Sequence, residues 1–224
     1  MKIVIQIVLW ILIIFLGYKL WNSIAGPIEF NKIKEARYTK VIKNLKDIKA
    51  AQLAHQEIAG GFAGDFSSLI QFIDTAQFAI TARRDTSYAD QVKNKAYGLD
   101  AMTGGYDIEA TIIDTLGFAP VKDSLYGGTD RYMTMMNVPI EEVEVAKFEL
   151  EAGKIEKNGA EYAVFEVKVA KAVILADQNS DMVNQESQII SVNGVNGAYI
   201  KVGSMDEVDT SGNWPKLYDS VKQK

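Results

Sequence analysis

The segment IVIQIVLWILIIFLGYKLW, residues 3–21, restricts this chain more than any other stretch. From Ile3 to Leu16 only Gln6 and the indole of Trp10 interrupt the hydrocarbon. Carried through Trp21, a helix here is roughly 28 Å long at about 1.5 Å per residue, just enough to span a bilayer. Tyr18 and Trp21 fall where interfacial aromatics belong, with Lys19 placed to snorkel between them. Core helices of soluble domains rarely run apolar on every face for this length. The other reading is a secretory signal that ends at the small-x-small triplet Ser23-Ile24-Ala25. We expect a retained anchor over residues 1–26, with Ile3, Gln6, Trp10, Phe15, Tyr18 and Trp21 facing lipid or neighbouring helices.

After Gly26-Pro27 comes IEFNKIKEARYTKVIKNLKDIKAAQLAHQEIAGG. Proline at a first helical turn and Gly60-Gly61 at the end bracket an amphipathic stem over residues 27–60. Tyr38, Val41, Leu45, Ile48 and Gln52 recur at three- and four-residue steps and give the stem one face to bury. A basic row, Lys34, Arg37, Lys40, Lys43, Lys46 and Lys49, takes every third position. Three residues advance about 300°, so this row winds around the helix and does not form one flat patch. Residues 1–49 carry nine basic against three acidic side chains, which leaves −11 to residues 50–224 in a chain of net −5. Such a row is a solvated surface, an attraction to anionic headgroups, or a means of pairing one copy's stem with another copy's acidic head. Lys32, Lys34, Arg37 and Lys40 just beyond the anchor favour a cytoplasmic head by the positive-inside rule.

Beyond residue 60 the period changes to two. YDIEATIID (106–114), VEVAKFELEAG (143–153), EYAVFEVKVAKAVIL (161–175) and AYIKVGSM (198–205) read as strands, with QFAIT (77–81) a shorter one. Asn158-Gly159 is a hairpin turn signal between two of them. DTLGFAPVKDSLYGGTDRYMTMMNVP reads as long loops or short strands. The expected fold is α+β: a long amino-terminal helix, apolar anchor plus amphipathic half, packed on an antiparallel β-sheet head of residues 61–224.

LKDIKAAQLAHQEIAGGFAGDFSSLIQFI resembles the start of a type IV pilin or type II secretion pseudopilin. The family's helix pattern is met by Leu45, Ile48, Ala51, Gln52 and His55, and its following turn by Gly60, Phe62, Asp65, Phe66 and Leu69. The resemblance covers about the first 75 residues. It departs from the family in lacking the processing glycine and the intramembrane glutamate: Lys2 precedes IVIQIV, where Gln6 is the one polar group. It implies an architecture, an extracytoplasmic head or an extracellular filament at a bacterial cell envelope, and partners among other envelope or secretion proteins. This orientation opposes the positive-inside reading, and we expect the outward one. The same features would suit a virion component.

The remaining chemistry is sparse. No cysteine excludes disulfides and thiolate metal sites, and the single histidine, His55, excludes mechanisms that need two imidazoles. No serine elbow, phosphate loop or paired-histidine spacing accompanies it, and we expect no enzyme and no cofactor. An acidic chain with an apolar anchor lacks the footprint of a nucleic-acid binder. Asp177, Asn179 and Asp181 alternate as a calcium loop would, but Met182 replaces the turn glycine and Gln188 the bidentate glutamate. Asp206, Glu207, Asp209 and Asn213 are a weak metal candidate, and by resemblance to pseudopilins that hold calcium in a late loop the ion would be calcium. Met133, Met135 and Met136 beside Tyr132 read as core filling before a pliable contact surface. The expected function is that of a structural, membrane-anchored subunit assembling through its amino-terminal helix. The alternative is a single-pass envelope protein whose head binds a ligand or protein.

Overall fold

The computed structural model describes residues 2–99, 104–141 and 146–219. The fold is α+β: among the described residues there are one long helix, α1 (Lys2–Ala59), five shorter ones, and two antiparallel sheets. The chain divides into two compact bodies, Met1–Phe72 with Asp130–Lys224 and Ile73–Thr129.

In the first body α1 runs unbroken from the apolar segment to the stem, with Pro27 inside it. The expected helix start at Pro27 is therefore corrected. Proline's fixed φ suits a helix, and the cost is the missing bond to the carbonyl of Ser23, which lies on an exposed turn where water can serve it. The helix stops where Gly60 takes φ 78°, a conformation that favours glycine. Tyr38, Val41, Ile42, Leu45, Ile48 and Ala51 are all buried. They lie on the sheet of β3 (Glu149–Lys157), β4 (Ala160–Ala170) and β5 (Tyr199–Gly203), ordered β3-β4-β5. Phe165, Val167 and Val169 of β4 and Ile200 and Val202 of β5 supply the inward face. The β3–β4 turn is Asn158-Gly159, both at positive φ (56° and 76°), as a two-residue hairpin of this hand requires. Gly203, φ 78°, is fixed by crowding as well: a Cβ there would collide with the Phe165 carbonyl.

Of the expected strand 143–153, residues 143–145 lie outside the described residues, and the described strand begins at Glu149. The run 161–175 leaves the sheet after Ala170 and turns into α5 (Lys171–Ile174). Then come α6 (Ser180–Ser187), whose amino terminus is capped by the Asn179 side chain, and a loop back to β5. Before β3, residues 130–134 form a 3-10 turn in which Tyr132 and Met135 beyond it are buried, while Met133 is exposed.

The second body is a two-stranded ribbon, β1 (Gln77–Ala89) paired with β2 (Asp107–Pro120), with α3 (Gln91–Tyr97) at its tip and α4 (Val121–Tyr126) after it. The ribbon outruns the expected strands 77–81 and 106–114, and residues 115–120, read as loop or short strand, belong to β2. Its β1 half, TARRDTSYA, is polar and lacks a buried face, so it shows no clean alternation. Residues 66–75 form α2 (Phe66–Thr75), which links the two bodies.

Candidate anchoring and assembly surfaces

The large apolar side chains from Ile3 to Trp21 are 50–74 % exposed, on every side of the helix. This helix is apolar and long enough to cross a membrane, as an anchor or as a signal sequence. Ile3, Trp10, Phe15, Tyr18 and Trp21 all belong to this uncovered set, and Gln6 is exposed among them.

The first dock between stem and head is ionic. Glu186 of α6 is buried and receives Lys34 Nζ at 2.9 Å, Lys171 Nζ at 3.3 Å and the Tyr38 hydroxyl at 3.3 Å. Lys171 is fully buried and also donates to the carbonyls of Glu186 and Val195, both at 2.7 Å. Burial pushes the Lys171 ammonium below its ordinary range, against the pull of Glu186. Burial, with Glu186 beside it, pushes the Tyr38 hydroxyl far above its usual range. One helical turn away, buried Arg37 forks onto Asp177 and donates to the Ile174 carbonyl at 2.9 Å. Its hydrogen bonds hold the Asp177 carboxyl down at about 2. No charge is left buried without a partner here, which is the condition under which such a cluster is tolerable.

A second dock holds the turn after α1. The buried Gln52 amide bonds both backbone groups of Ala63, at 2.9 Å each, and His55 Nδ1 meets the Gly61 carbonyl at 2.6 Å. Asp65 then caps α2 through the Ser68 amide and hydroxyl, both at 2.8 Å, and these bonds hold its carboxyl below the usual range. These polar residues thus have local work: Gln52 and His55 fix the turn, and Asp65 starts the next helix.

The winding basic row meets several environments. Lys34 and Arg37 pair with the chain's own head, Lys46 donates to the Tyr218 carbonyl at 2.7 Å, Lys43 faces Asp47, and Lys49 faces Asp209. Lys40, with Lys32 before the row, is exposed and has no acidic partner among the described residues. Of the late acidic loop, Asp209 binds Ser211, and the Asn213 amide bonds the carbonyls of Asn196 and Tyr199 and the Lys201 amide. Asp206 and Glu207 do not join them: among the described residues no three His, Asp or Glu side chains gather as a metal-holding group. Asp177 and Asn179 are likewise engaged, one by Arg37 and one as a helix cap.

Sequence reasoning missed Lys171 and Glu186. A signal for the first existed: the inward series Phe165, Val167, Val169 continues to position 171, so a lysine there had to be buried and satisfied. Nothing local marks Glu186. No protein family, no curated protein and no solved structure matches this chain.

Proposed function

We propose that this chain is a structural, membrane-anchored subunit that assembles through its amino-terminal helix, pilin-like in architecture, with its head outside the cytoplasm at a bacterial envelope. The observation that carries this reading is α1 itself: one helix, buried in its own head over Tyr38–Ala51 and bare on all sides over Ile3–Trp21. A bare apolar helix this long needs lipid or other helices around it. Rigid continuity through Pro27 lets contacts made by the anchor position the head.

Gln6 supports association beyond anchoring, because an amide in hydrocarbon lacks water and an identical amide on a neighbour both donates and accepts. Sedimentation of the full chain in mild detergent tests the reading. We expect discrete multimers that Gln6→Leu weakens. Monomers at every concentration, in detergent and in lipid, would favour the tethered binding protein.

A further inference from the structure

A sheet of two strands has two open edges. In the β1–β2 ribbon the strands run 13 and 14 residues, not one residue of either is buried, and each keeps one edge unpaired among the described residues. Such a ribbon is marginal in water until further strands join it. Its open backbone groups are a template for another chain, and the two edges differ in what they fit.

The charged side chains of β2, Asp107, Glu109 and Asp114, are all carboxylates, so two β2 edges brought together gather only anions. β1 carries both signs in Arg83, Arg84 and Asp85. Across its own ribbon these lie opposite Ile113, Ile112 and Thr111, whose hydroxyl donates to Asp85 at 2.8 Å. Along the strand Arg83 Nε and Asp85 stand 3.4 Å apart with side chains 73 % and 76 % exposed, a loose pair open to further partners. Ile80 lies opposite Gly117, so it has no side chain across from it, and it is 48 % exposed.

A two-fold axis normal to a sheet keeps each side chain on its own face, so two antiparallel β1 strands pair symmetrically about one central residue. Centred on Arg83 or on Asp85, the pairing sets that charge against itself and joins no opposite charges. Centred on Arg84, it sets Arg83 opposite the partner's Asp85 on both sides of the axis. The two Arg83 and two Asp85 side chains then alternate in sign around it. The same register sets Ile80 opposite the partner's Tyr88 twice, an aliphatic–aromatic cross-strand pair. The one like pair, Arg84 with its copy, falls on the other face, where Asp114 is the diagonal neighbour of Arg84 within each ribbon.

We infer that two copies of this chain join through their β1 edges, antiparallel about Arg84, into one four-stranded sheet ordered β2-β1-β1-β2. The inference rests on the proposed self-assembly and gives it a contact outside the amino-terminal helix. The contact is isologous, so it closes at pairs and leaves the apolar helices to gather pairs into anything larger.

The chain has no cysteine, which makes the test clean. Full-length variants are oxidised in native membranes and dimers are read on non-reducing gels. Arg84→Cys alone is expected to give a disulfide-linked dimer, because the two positions face each other across the axis. Ile80→Cys mixed with Tyr88→Cys should also give dimers. Neither of these alone should, since two copies of position 80 are about 26 Å apart at about 3.3 Å per residue. On the Arg84→Cys background, Arg83→Asp and Asp85→Arg should each cut the dimer several-fold, and the two together should restore it. Losses that add in the combined variant would overturn the inference, as would dimers from Ile80→Cys alone. No dimer from Arg84→Cys, with multimers in sedimentation, would overturn this contact and leave self-assembly intact. No dimer, with monomers in sedimentation, would overturn both.

Discussion

At the residue scale the decisive feature is the buried cluster on Glu186. Its carboxylate is shared by Lys34, Lys171 and Tyr38, so removing it strands a buried ammonium. Glu186→Ala should therefore cost about 3–5 kcal/mol, read as the shift of a urea midpoint with unchanged slope. Adding Lys171→Met should recover at least half of the loss, because the stranded charge and not the lost attraction dominates. A double variant no better than the single would contradict this. The Arg37–Asp177 pair makes a pH prediction. The folded Asp177 carboxyl sits at about 2, below its ordinary value of 3.8, so its contribution is complete above about pH 4 and is lost as pH falls through about 2. The carboxylate is 38 % exposed, and with solvent screening its worth is about 1 kcal/mol. Denaturation at pH 4 and pH 2 should show that loss in the native chain, and Asp177→Asn should reduce it.

At the element scale α1 is held by its stripe and its turn. Leu45 is fully buried, and Leu45→Asp should cost on the order of 3 kcal/mol or more; an unchanged melting temperature would remove the packing claim. Gln52→Ala leaves both Ala63 backbone groups without partners and should cost about 2 kcal/mol, with faster amide exchange over residues 60–65. How far these elements were legible follows from burial. The Tyr38–Ala51 stripe, the Asn158-Gly159 turn and the strands β4 and β5 repeat with clear periods because each has one dry face. The β1–β2 ribbon has little burial, so Arg83, Arg84 and Asp85 sit where a periodic apolar residue would have announced a strand. Pro27 suited the first turn of the stem equally well as an interior position, because proline removes one hydrogen bond and the rest of a 58-residue helix tolerates that loss. The ionic dock was illegible because Lys34, Lys171 and Glu186 are far apart in sequence and meet only when α6 folds beside the stem.

At the scale of the whole molecule, one helix carries a bare apolar segment, the stem and a core element, and on the proposed function the bare segment is the anchor. It follows that alkaline washing of membranes should leave the full chain in the pellet, whereas a peripheral protein would be released. It also follows that the basic row has no single role. Where it faces the chain's own head it holds the stem, and at Lys40 it is exposed to solvent. The central claim is that this helix joins copies into an ordered assembly. Electron microscopy of the full chain, in native envelopes and after reconstitution into lipid, tests it most directly. The account predicts ordered multimers, rows or rings, with the apolar helices gathered together and the heads at one side. Isolated single heads, evenly dispersed in lipid at high protein density, would contradict it.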